Sequence, residues 1–246
     1  MNKLSTKSLT QCARRRTRTL NVLIACEESQ AECIAFRRLG HRAFSCDLQK
    51  ARYHDEWHII GDVTPLLSGQ TKFRTADGKR HSLKRWDLII AHPPCTYLCK
   101  VGSPWLYINP DSWKTVKGHR VMINQERWEA MKRAREFFIT CLNANAHYVA
   151  VENPLPMAVA QLPKPSTFID PSWFGVKYTK KTLYWLKNLP PIMPTTQYSN
   201  PKSYVHSSRG KYRSRTFPQV AEALALQWSS YILYELNGNI CSDERK

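Results

Sequence analysis

Two short motifs carry the residue types needed for covalent catalysis. Cys95 follows Pro93 and Pro94 directly after an apolar run, so its thiol sits on a stiff backbone at the end of a predicted strand. Glu152 begins the sequence Glu-Asn-Pro at the end of another predicted strand. A thiol can act as a nucleophile, and a carboxyl group can donate or accept a proton. The two groups in one cleft therefore indicate covalent catalysis. The alternative for Cys95 is a buried structural thiol, which is what most cysteines are.

Polar side chains also stand at the ends of the first three predicted strands. They are Cys26, Glu27, Glu28 and Ser29 after the first strand, Asp47 after the second and Asp62 after the third. In an open parallel sheet, ligands bind outside the carboxyl ends of the strands, so these residues are candidates for a binding site. Asp47 lies about 20 positions beyond the first strand, which is typical of an acidic residue that binds a ribose diol. The alternative for each aspartate is a turn without a ligand.

The elements that must position these residues alternate between strand and helix. Apolar runs bounded by polar residues predict strands at 20–26, 43–46, 57–60, 86–91, 147–152 and 182–186. Helical spacing and end signals predict helices at 29–39, 124–145 and 217–228. This alternation predicts an α/β fold with a mainly parallel, doubly wound sheet.

The organisation of the chain follows from where this alternation is interrupted. Residues 1–19 are predicted to be a flexible basic arm, since nothing there repeats at strand or helix period. Residues 64–84 are predicted to be a hairpin insertion around the turn Ala76-Asp77-Gly78. Residues 96–123 contain two glycines and two prolines and are predicted to be an active-site loop. Residues 231–246 are predicted to be a tail.

Net charge points to a polyanionic partner. The chain has 246 residues with 37 Lys+Arg against 19 Asp+Glu, a formal net charge of +18. Excess positive charge favours polyanions because each neutralised phosphate releases counterions, although a solubility device is the alternative. Residues 177–215 hold nine basic residues, several aromatic ones and no acidic one. Such a segment is typical of a nucleic-acid groove, and a solvated loop is its alternative.

Other composition features exclude several classes of protein. The longest apolar run is far shorter than the roughly 20 residues that span a bilayer. The amino-terminal residues are polar and basic and lack the apolar middle of a secretory signal. Eight cysteines without a Cys-x-x-Cys pair form neither a disulfide framework nor a zinc knuckle. We therefore expect no membrane association, no metal site and a cytoplasmic location.

Several segments together resemble the cytosine-5 DNA methyltransferases, and more narrowly the short phage-borne members of that family. The matching segments are residues 21–30, 87–98, 151–156, 179–186 and 214–225. They occur in the family's order and imply a single methyltransferase catalytic domain over residues 20–230. The resemblance implies a Rossmann-like class I methyltransferase fold, DNA as partner and, for a phage-encoded protein, the host cytoplasm.

The resemblance also implies roles for individual residues. S-adenosylmethionine is the implied cofactor, without a metal, and the implied cofactor-binding residues are Cys26, Glu27, Glu28, Ser29, Asp47, Asp62 and Pro93. The implied catalytic residues are Cys95, which attacks carbon 6 of cytosine, Glu152, which binds the ring, Asn153, which holds the Pro93–Cys95 loop, and Lys181. The implied DNA-binding residues are Lys100, Arg120, Lys180, Arg209, Lys211, Arg213 and Arg215. Because carbon 5 is inaccessible in a duplex, the base must be flipped or single-stranded.

The sequence departs from the family at three places. The loop after the first strand has no glycine, Lys180 and Lys181 replace an arginine pair, and residues 187–213 are a reduced recognition segment. A lysine supplies charge without the bidentate fork of arginine. Sequence specificity is therefore expected to be short, relaxed or supplied by a partner. The alternatives are the same fold acting on RNA or a free nucleotide, transfer of a different group, or an inactive nucleic-acid-binding protein. The sequence gives no oligomeric state.

Overall fold

The computed structural model of the protein describes residues 18–108, 123–204 and 215–243. The strands in these residues are β1 Asn21–Ala25, β2 Arg42–Asp47, β3 His58–Ile60, β4 Lys72–Arg74, β5 Arg80–Ser82, β6 Leu88–Ala91, β7 Tyr148–Asn153, β8 Thr167–Ile169, β9 Tyr178–Thr179, β10 Thr182–Lys187 and β11 Lys202–Ser203. The α-helices are α1 Ala31–Arg38, α2 Thr64–Leu67, α3 Gln125–Leu142 and α4 Pro218–Asp243. The predicted arm, except for its last two residues, and Arg120, Arg209, Lys211 and Arg213 lie outside the described residues.

Seven strands form one sheet in the order β3-β2-β1-β6-β7-β10-β8. The first five strands in that order run parallel to one another. Strand β10 runs antiparallel to both of its neighbours, β7 and β8. The predicted α/β fold with a mainly parallel sheet is therefore confirmed.

The carboxyl ends of the central strands lie level with one another. Ala25 of β1 pairs in register with Cys46 of β2 and with Ala91 of β6. Ala91 in turn pairs with Val151 of β7. The chain runs outward from β1 to β3 on one side and resumes at β6 on the other, so the strand order reverses between β1 and β6. In open α/β sheets, ligands bind in the crevice at this reversal.

Helices cover both faces of the sheet. Ile24 of β1 and Ile90 of β6 pack with residues of α1 and α4 on one face. Ile89 of β6 packs with Phe138 of α3 on the other face, and all of these side chains are fully buried. Burial on both faces explains why β1 and β6 are continuous apolar runs rather than alternating ones.

Helix α3 shows the predicted start and the predicted buried face. The side chain of Asn124 accepts a hydrogen bond from the backbone N–H of Arg127 (3.1 Å) and so caps the helix. Met131, Phe138 and Cys141 are buried on the side that packs against the sheet. Their spacing is that of one helical face, which is the signal the sequence carries.

Helix α4 extends beyond its predicted end at Trp228. Trp228 and Ile232 are both buried, so the apolar face continues, and no proline interrupts it. The helix therefore runs through much of the segment 231–246 and ends at Asp243. Among the described residues, no helix is both long and apolar enough to cross a membrane.

The segment 64–84 contains the short helix α2 and an antiparallel hairpin of β4 and β5. Phe73 of β4 stacks on Trp86 with ring centroids 5.5 Å apart, which attaches the hairpin to the core. The helix α2 and the strands β8, β9 and β11 have no counterpart in the sequence prediction. Each is four residues long or shorter and is stabilised by its partner in space rather than by its own pattern.

Candidate active site

The chain leaves β6 through the loop that carries Cys95. The backbone N–H of His92 donates to the carbonyl of Ala25 (2.9 Å), which fixes the start of this loop against the end of β1. Pro93 is buried and Pro94 is exposed. Because proline fixes φ, the backbone that presents Cys95 is stiff, as the sequence indicates.

Cys95 shares a hydrogen bond with a second thiol. The N–H groups of Leu98 and Cys99 donate to the carbonyl of Cys95 at 3.0 and 2.9 Å, so Cys95 and Cys99 lie one helical turn apart. The hydrogen bond with the Cys99 thiol, burial and the charge of Glu152 raise the pKa of Cys95, and Lys180 opposes this. In the unbound protein, Cys95 therefore keeps its proton.

Cys99 is the more acidic thiol of the pair. The hydrogen bond from Cys95 lowers the pKa of Cys99 to about 6, although burial opposes the shift. Backbone N–H groups of Gly102 and Val101 contribute, because Cys99 precedes the 3₁₀ helix Lys100–Leu106. Such a terminus favours a negative charge. The Cys99 thiolate is therefore the acceptor of the hydrogen bond from Cys95.

Glu152 ends β7 beside this loop. Its side chain is 15% exposed. Burial alone would raise the pKa of Glu152, but a hydrogen bond from His92 and the charges of Lys180 and His92 lower it below its ordinary value. The charge of Glu152 in turn acts on Cys95. The structure thus brings the two motifs of the sequence analysis into one electrostatic cluster with Lys180.

Asn153 lies on the opposite face of β7 from Glu152, since neighbouring strand residues alternate. It is fully buried, and its Nδ2 donates to the carbonyl of Pro154 (2.9 Å). Its Oδ1 accepts no hydrogen bond from the described residues. Asn153 shapes the turn that ends β7, and its contact with the loop before Cys95 stays a prediction.

The two neighbouring lysines have different surroundings. The charge of Lys180 acts on both Cys95 and Glu152. The Nζ of Lys181 lies 4.0 Å from the centroid of the Phe168 ring. The family resemblance implies a catalytic role for Lys181 and a DNA contact for Lys180, whereas in the structure it is Lys180 that lines a cavity with Glu152 and whose charge also acts on Cys95.

A buried aspartate that the sequence analysis missed fixes the segment before Lys180. Oδ1 of Asp170 accepts hydrogen bonds from the backbone N–H (3.0 Å) and the hydroxyl (2.6 Å) of Ser172. Its Oδ2 accepts from the hydroxyl of Thr179 and from the backbone N–H of Lys180 (3.1 Å). The sequence Asp-Pro-Ser is a turn signal that predicts such an aspartate.

His92 lies between two carboxylates. Its Nε2 is 3.1 Å from Oε2 of Glu32, and its Nδ1 is 3.4 Å from Oε2 of Glu152. Burial alone would lower the pKa of His92, but Glu32 and Glu152 raise it well above its ordinary value. His92 is not among the site residues predicted from the sequence. No spacing pattern connects it with Glu32, because α1 and β6 meet only in the folded chain.

Glu27, a predicted cofactor residue, caps α1. It is 4% exposed, and its two oxygens accept the backbone N–H groups of Glu32 (2.8 Å) and Cys33 (3.3 Å). Burial and the charge of Glu32 raise the pKa of Glu27 to about 8. The preceding residue, Cys26, has a φ of 61°. The chain therefore makes a left-handed turn without the glycine that usually occupies such a position.

Glu28 and Arg215, which the sequence analysis assigns to the cofactor and to DNA, form an ion pair. Nε and NH2 of Arg215 donate to Oε1 of Glu28 at 3.1 and 3.0 Å. The hydroxyl of the next residue, Thr216, donates to Glu32 (3.2 Å). The segment before α4 thus contacts both the loop after β1 and the first turn of α1. Ser29, a further predicted cofactor residue, is buried.

Asp47 and Asp62 follow β2 and β3 at the same edge of the sheet. Asp47 is half-buried and Asp62 is exposed. Hydrogen bonds from Thr64 lower the pKa of Asp62. Both charges act on the Cys26 thiol, whose pKa burial raises. The three residues therefore lie together, as the strand-end pattern predicts.

A cavity opens beside Glu152, between β10 and the start of α4. The residues that line it are Glu152, Ile169, Pro171, Lys180, Thr182, Tyr184, Arg215, Thr216, Phe217 and Val220. Its wall is mixed in character, with a carboxylate, two cations and aromatic rings. Lys100, a further predicted DNA-binding residue, is exposed on the 3₁₀ helix after Cys99. Among the described residues, no group of acidic, histidine and cysteine side chains could hold a metal ion.

No protein-family model matches the chain, and no curated protein matches it. One solved structure that matches is a prophage-encoded protein of E. coli, described as a candidate DNA modification methyltransferase. The identity is 12%, the TM-score is 0.40, and the match covers 73% of this chain and 52% of that one. The chain thus spans about half the length of that structure. The function proposed below rests on the geometry of the site.

Proposed function

We propose that the protein is an S-adenosylmethionine-dependent DNA methyltransferase that modifies cytosine at carbon 5 through a covalent bond with Cys95. The observation that carries the proposal is that Cys95 and Glu152 lie at the ends of the adjacent strands β6 and β7, where both feel the charge of Lys180, which precedes β10. The cluster supplies a nucleophile, a carboxylate that can bind the ring and a cation. The strand order and its reversal between β1 and β6 support a Rossmann-like class I methyltransferase fold.

In the proposed reaction, the sulfur of Cys95 adds to carbon 6 of cytosine, and its proton passes to Cys99 along their hydrogen bond as the carbon–sulfur bond forms. Glu152 accepts a hydrogen bond from the exocyclic amine of cytosine. It also stabilises ring nitrogen 3, which becomes more basic when the thiol adds to carbon 6. Carbon 5 then takes the methyl group and releases its own proton to solvent. The bond between carbon 6 and sulfur breaks, and the departing Cys95 thiolate recovers its proton from Cys99. These atoms are stacked inside a duplex, so the base must be flipped out or single-stranded.

The residues at the ends of β2 and β3 can accept the hydrogen bonds that the cofactor donates from its ribose and its adenine. When bound, the cofactor supplies an electrophilic methyl group. Asp47 and Asp62 each use Oδ1 in their own turn, accepting a backbone N–H at 2.8 and 2.9 Å. Their Oδ2 atoms accept no hydrogen bond from the described residues and can bind the ribose and the adenine amine. Leu48 is 78% exposed and Ile60 is 47% exposed, which provides an apolar surface for a purine ring.

The loop after β1 is assigned to the methionine portion through its backbone rather than its acidic side chains. Glu27 is bound to α1 and Glu28 to Arg215. The backbone of residues 26–29 and the ring of Pro93 remain as contacts. This assignment explains how a loop without glycine can serve the same purpose, since Cys26 adopts the left-handed conformation.

Methyl transfer to defined DNA tests the proposal. Purified protein is incubated with cofactor labelled in the methyl group and with cytosine-containing DNA, and the modified nucleoside is identified by mass spectrometry. We expect 5-methylcytosine from the wild type and none from Cys95→Ala. Glu152→Gln is expected to lose at least about 100-fold in rate, while Glu136→Gln, an exposed change on α3, keeps full activity.

Several outcomes contradict specific parts of the proposal. Equal labelling by the wild type and Cys95→Ala contradicts covalent catalysis, and label on adenine or on the cytosine amine contradicts the position. Parallel reactions with duplex DNA, single strand, RNA and dCMP identify the substrate, and mass spectrometry identifies the transferred group. A wild type that binds DNA but shows no cofactor binding by calorimetry contradicts the enzyme and supports a nucleic-acid-binding protein.

A further inference from the structure

We propose that Glu32, His92 and Glu152 form a proton relay to ring nitrogen 3 of the target cytosine, and that His92 is a positioning residue that supplies the proton through Glu152. The inference rests on the proposed function and adds His92 and Glu32 to the residues that serve the reaction. It accounts for a buried charged cluster that the nucleophile and the carboxylate alone do not explain.

The three side chains form a continuous path from the interior to the site. They come from three elements: Glu32 from the first turn of α1, His92 from the loop after β6 and Glu152 from the end of β7. The side chains of Glu32, His92 and Glu152 are 0%, 11% and 15% exposed. Exposure therefore rises toward the end that would meet the base.

The contacts along the path include one hydrogen bond along which a proton can move and two polar atoms that make no hydrogen bond with the described residues. Nδ1 of His92 donates to Oε2 of Glu152 at 3.4 Å. Nε2 of His92 lies 3.1 Å from Oε2 of Glu32, but the angle is outside hydrogen-bond geometry, so the contact is an ion pair. Neither of these two buried atoms has a hydrogen-bond partner among the described residues.

The groups around His92 fix where the protons lie. Besides Glu32 and Glu152, the ionisable groups near this path are Glu27 in the loop after β1, Lys180 beside Glu152, Cys95 on the same loop, and Tyr184 in β10. Burial and the two carboxylates raise the pKa of Tyr184, so it stays neutral. Glu27 keeps its proton at pH 7 because its pKa is raised to about 8. The path therefore holds one imidazolium between two carboxylates.

The need for such a proton follows from the state of Glu152. His92 and Lys180 hold Glu152 ionised, so at rest Glu152 has no proton of its own to give. When Cys95 adds to carbon 6, the carbon–sulfur bond forms, the carbon 5–carbon 6 π bond breaks, and the electron pair makes nitrogen 3 basic. Nitrogen 3 takes a proton through Glu152 from Nδ1 of His92, which becomes neutral. Expulsion of Cys95 returns the proton by the same path.

A purely structural role explains this arrangement less well. Burying an imidazolium removes much of its favourable solvation, and an apolar side chain could fill the same space without that cost. The charge stands three residues before the nucleophile, on the same stiff loop. Thr216 also donates to the far oxygen of Glu32 (3.2 Å), which fixes the inner end of the path.

The test combines kinetics with a measurement that needs neither cofactor nor DNA. His92→Gln is expected to lower kcat at pH 8 by about 100-fold or more, with KM for DNA changed less than threefold. Activity should recover as the pH falls, because Glu152 is then no longer held ionised and can carry its own proton. His54→Gln, at a half-buried histidine paired with Glu56, is the matched control and should behave as wild type.

NMR titration of the wild type tests the charge of His92 directly. The signal is assigned by its absence from His92→Gln, and its pKa is expected well above the ordinary histidine value, moving down in Glu32→Gln. An ordinary pKa in the wild type overturns the relay whether or not the protein is active. A loss of activity in His92→Gln that is equal at every pH also overturns it. A wild type that methylates no substrate overturns the proposed function instead.

Discussion

The two thiols after β6 differ in charge because their surroundings differ. Cys99 accepts a hydrogen bond from Cys95 and lies at the start of a 3₁₀ helix, while Cys95 faces the charge of Glu152. The Cys95 thiol is therefore kept protonated until the target cytosine is bound, and Cys99 is the thiol of the pair that ionises more readily. This arrangement limits side reactions of Cys95 in the absence of substrate.

Alkylation rates of the two thiols should reveal this division of charge. At pH 7 we expect iodoacetamide to modify Cys99 faster than Cys95, because the pKa of Cys99 is lowered to about 6 and that of Cys95 is raised. Cys95→Ala removes the hydrogen-bond donor and should slow alkylation of Cys99. Peptide mass mapping over time measures both rates, with the buried Cys141 as an internal control. Faster reaction at Cys95 would contradict the assignment.

Glu27 should make stability depend on pH. Its pKa is raised from 4.5 to about 8 in the folded protein, so the folded state binds this proton more tightly than the unfolded chain. The stabilisation is complete below about pH 4.5 and is lost as the pH rises through about 8, so the free energy of unfolding should fall across this window. Urea denaturation at several pH values should show a flatter profile for Glu27→Gln.

The matched change for this experiment is Glu126→Gln, at an exposed carboxylate on the first turn of α3. It should leave the pH profile of the wild type unchanged. Identical profiles for Glu27→Gln and the wild type would show that Glu27 does not titrate in this window.

The residues of the site differ in how far the sequence could reveal them. Cys95 and Glu152 could be predicted, because each follows an apolar strand within a recognisable motif. Glu32 and His92 could not be joined, since their contact depends on α1 lying beside the end of β6. The roles of Lys180 and Lys181 were also indistinguishable, because two adjacent residues of one type differ only in what surrounds them.

At the scale of elements, α3 holds one face of the sheet through a small number of large side chains. Phe138 is fully buried and meets Trp185 of β10 edge to face, with centroids 4.9 Å apart. Trp185 also donates from Nε1 to the carbonyl of Pro163 (2.8 Å). The helix thus fixes β10, the strand that follows Lys180 and Lys181.

Truncating this contact should destabilise the whole domain. Phe138→Ala is expected to lower the free energy of unfolding by about 3–5 kcal/mol, since it removes a buried ring and leaves a cavity. Arg135→Ala, at an exposed position on the same helix, should change it by less than about 0.5 kcal/mol. Urea denaturation followed by tryptophan fluorescence measures both. A cost below about 1 kcal/mol for Phe138→Ala would contradict the packing described here.

Elements with their own pattern were predictable, and elements made by their neighbours were not. Strands β1, β6 and β7 are buried on both faces of the sheet, so apolar residues are needed at successive positions, and the resulting apolar runs are visible in the sequence. Strand β8 has three residues and exists because it pairs with β10. The end of α4 was predicted too early because the chain continues its apolar face beyond Trp228 without a stop signal.

At the scale of the whole molecule, a large net positive charge coexists with carboxylates gathered around one crevice. The net charge is +18, yet Glu27, Glu32 and Glu152 lie buried around one crevice. Lys177 and Lys202 are exposed neighbours, joined by a backbone hydrogen bond of 2.9 Å between β11 and the residue before β9. Beside them, the rings of Tyr178 and Tyr204 lie 5.2 Å apart. Cations next to aromatic rings suit a nucleic-acid strand.

The affinity for DNA should fall with salt concentration, and the steepness of this fall should reflect the number of phosphates that Lys177 and Lys202 contact. Each phosphate contact adds about 0.9 to the slope of log affinity against log salt. Replacing both Lys177→Gln and Lys202→Gln should therefore reduce the slope by about 1.8. The double change Arg133→Gln and Arg135→Gln removes equal charge from α3 and should leave the slope unchanged. Fluorescence anisotropy at several salt concentrations measures both, and equal slopes would contradict this surface.

The contacts of Arg215 and Thr216 also set when the cleft can form during synthesis. Arg215 lies 187 residues after Glu28, and Thr216 lies 184 residues after Glu32. A ribosome that adds about 5–20 residues per second needs about 10–40 s to cover that separation. Strands β1 to β7 emerge long before the segment that completes the crevice. The newly made chain therefore acquires its finished cleft only after Arg215 and Thr216 have been synthesised.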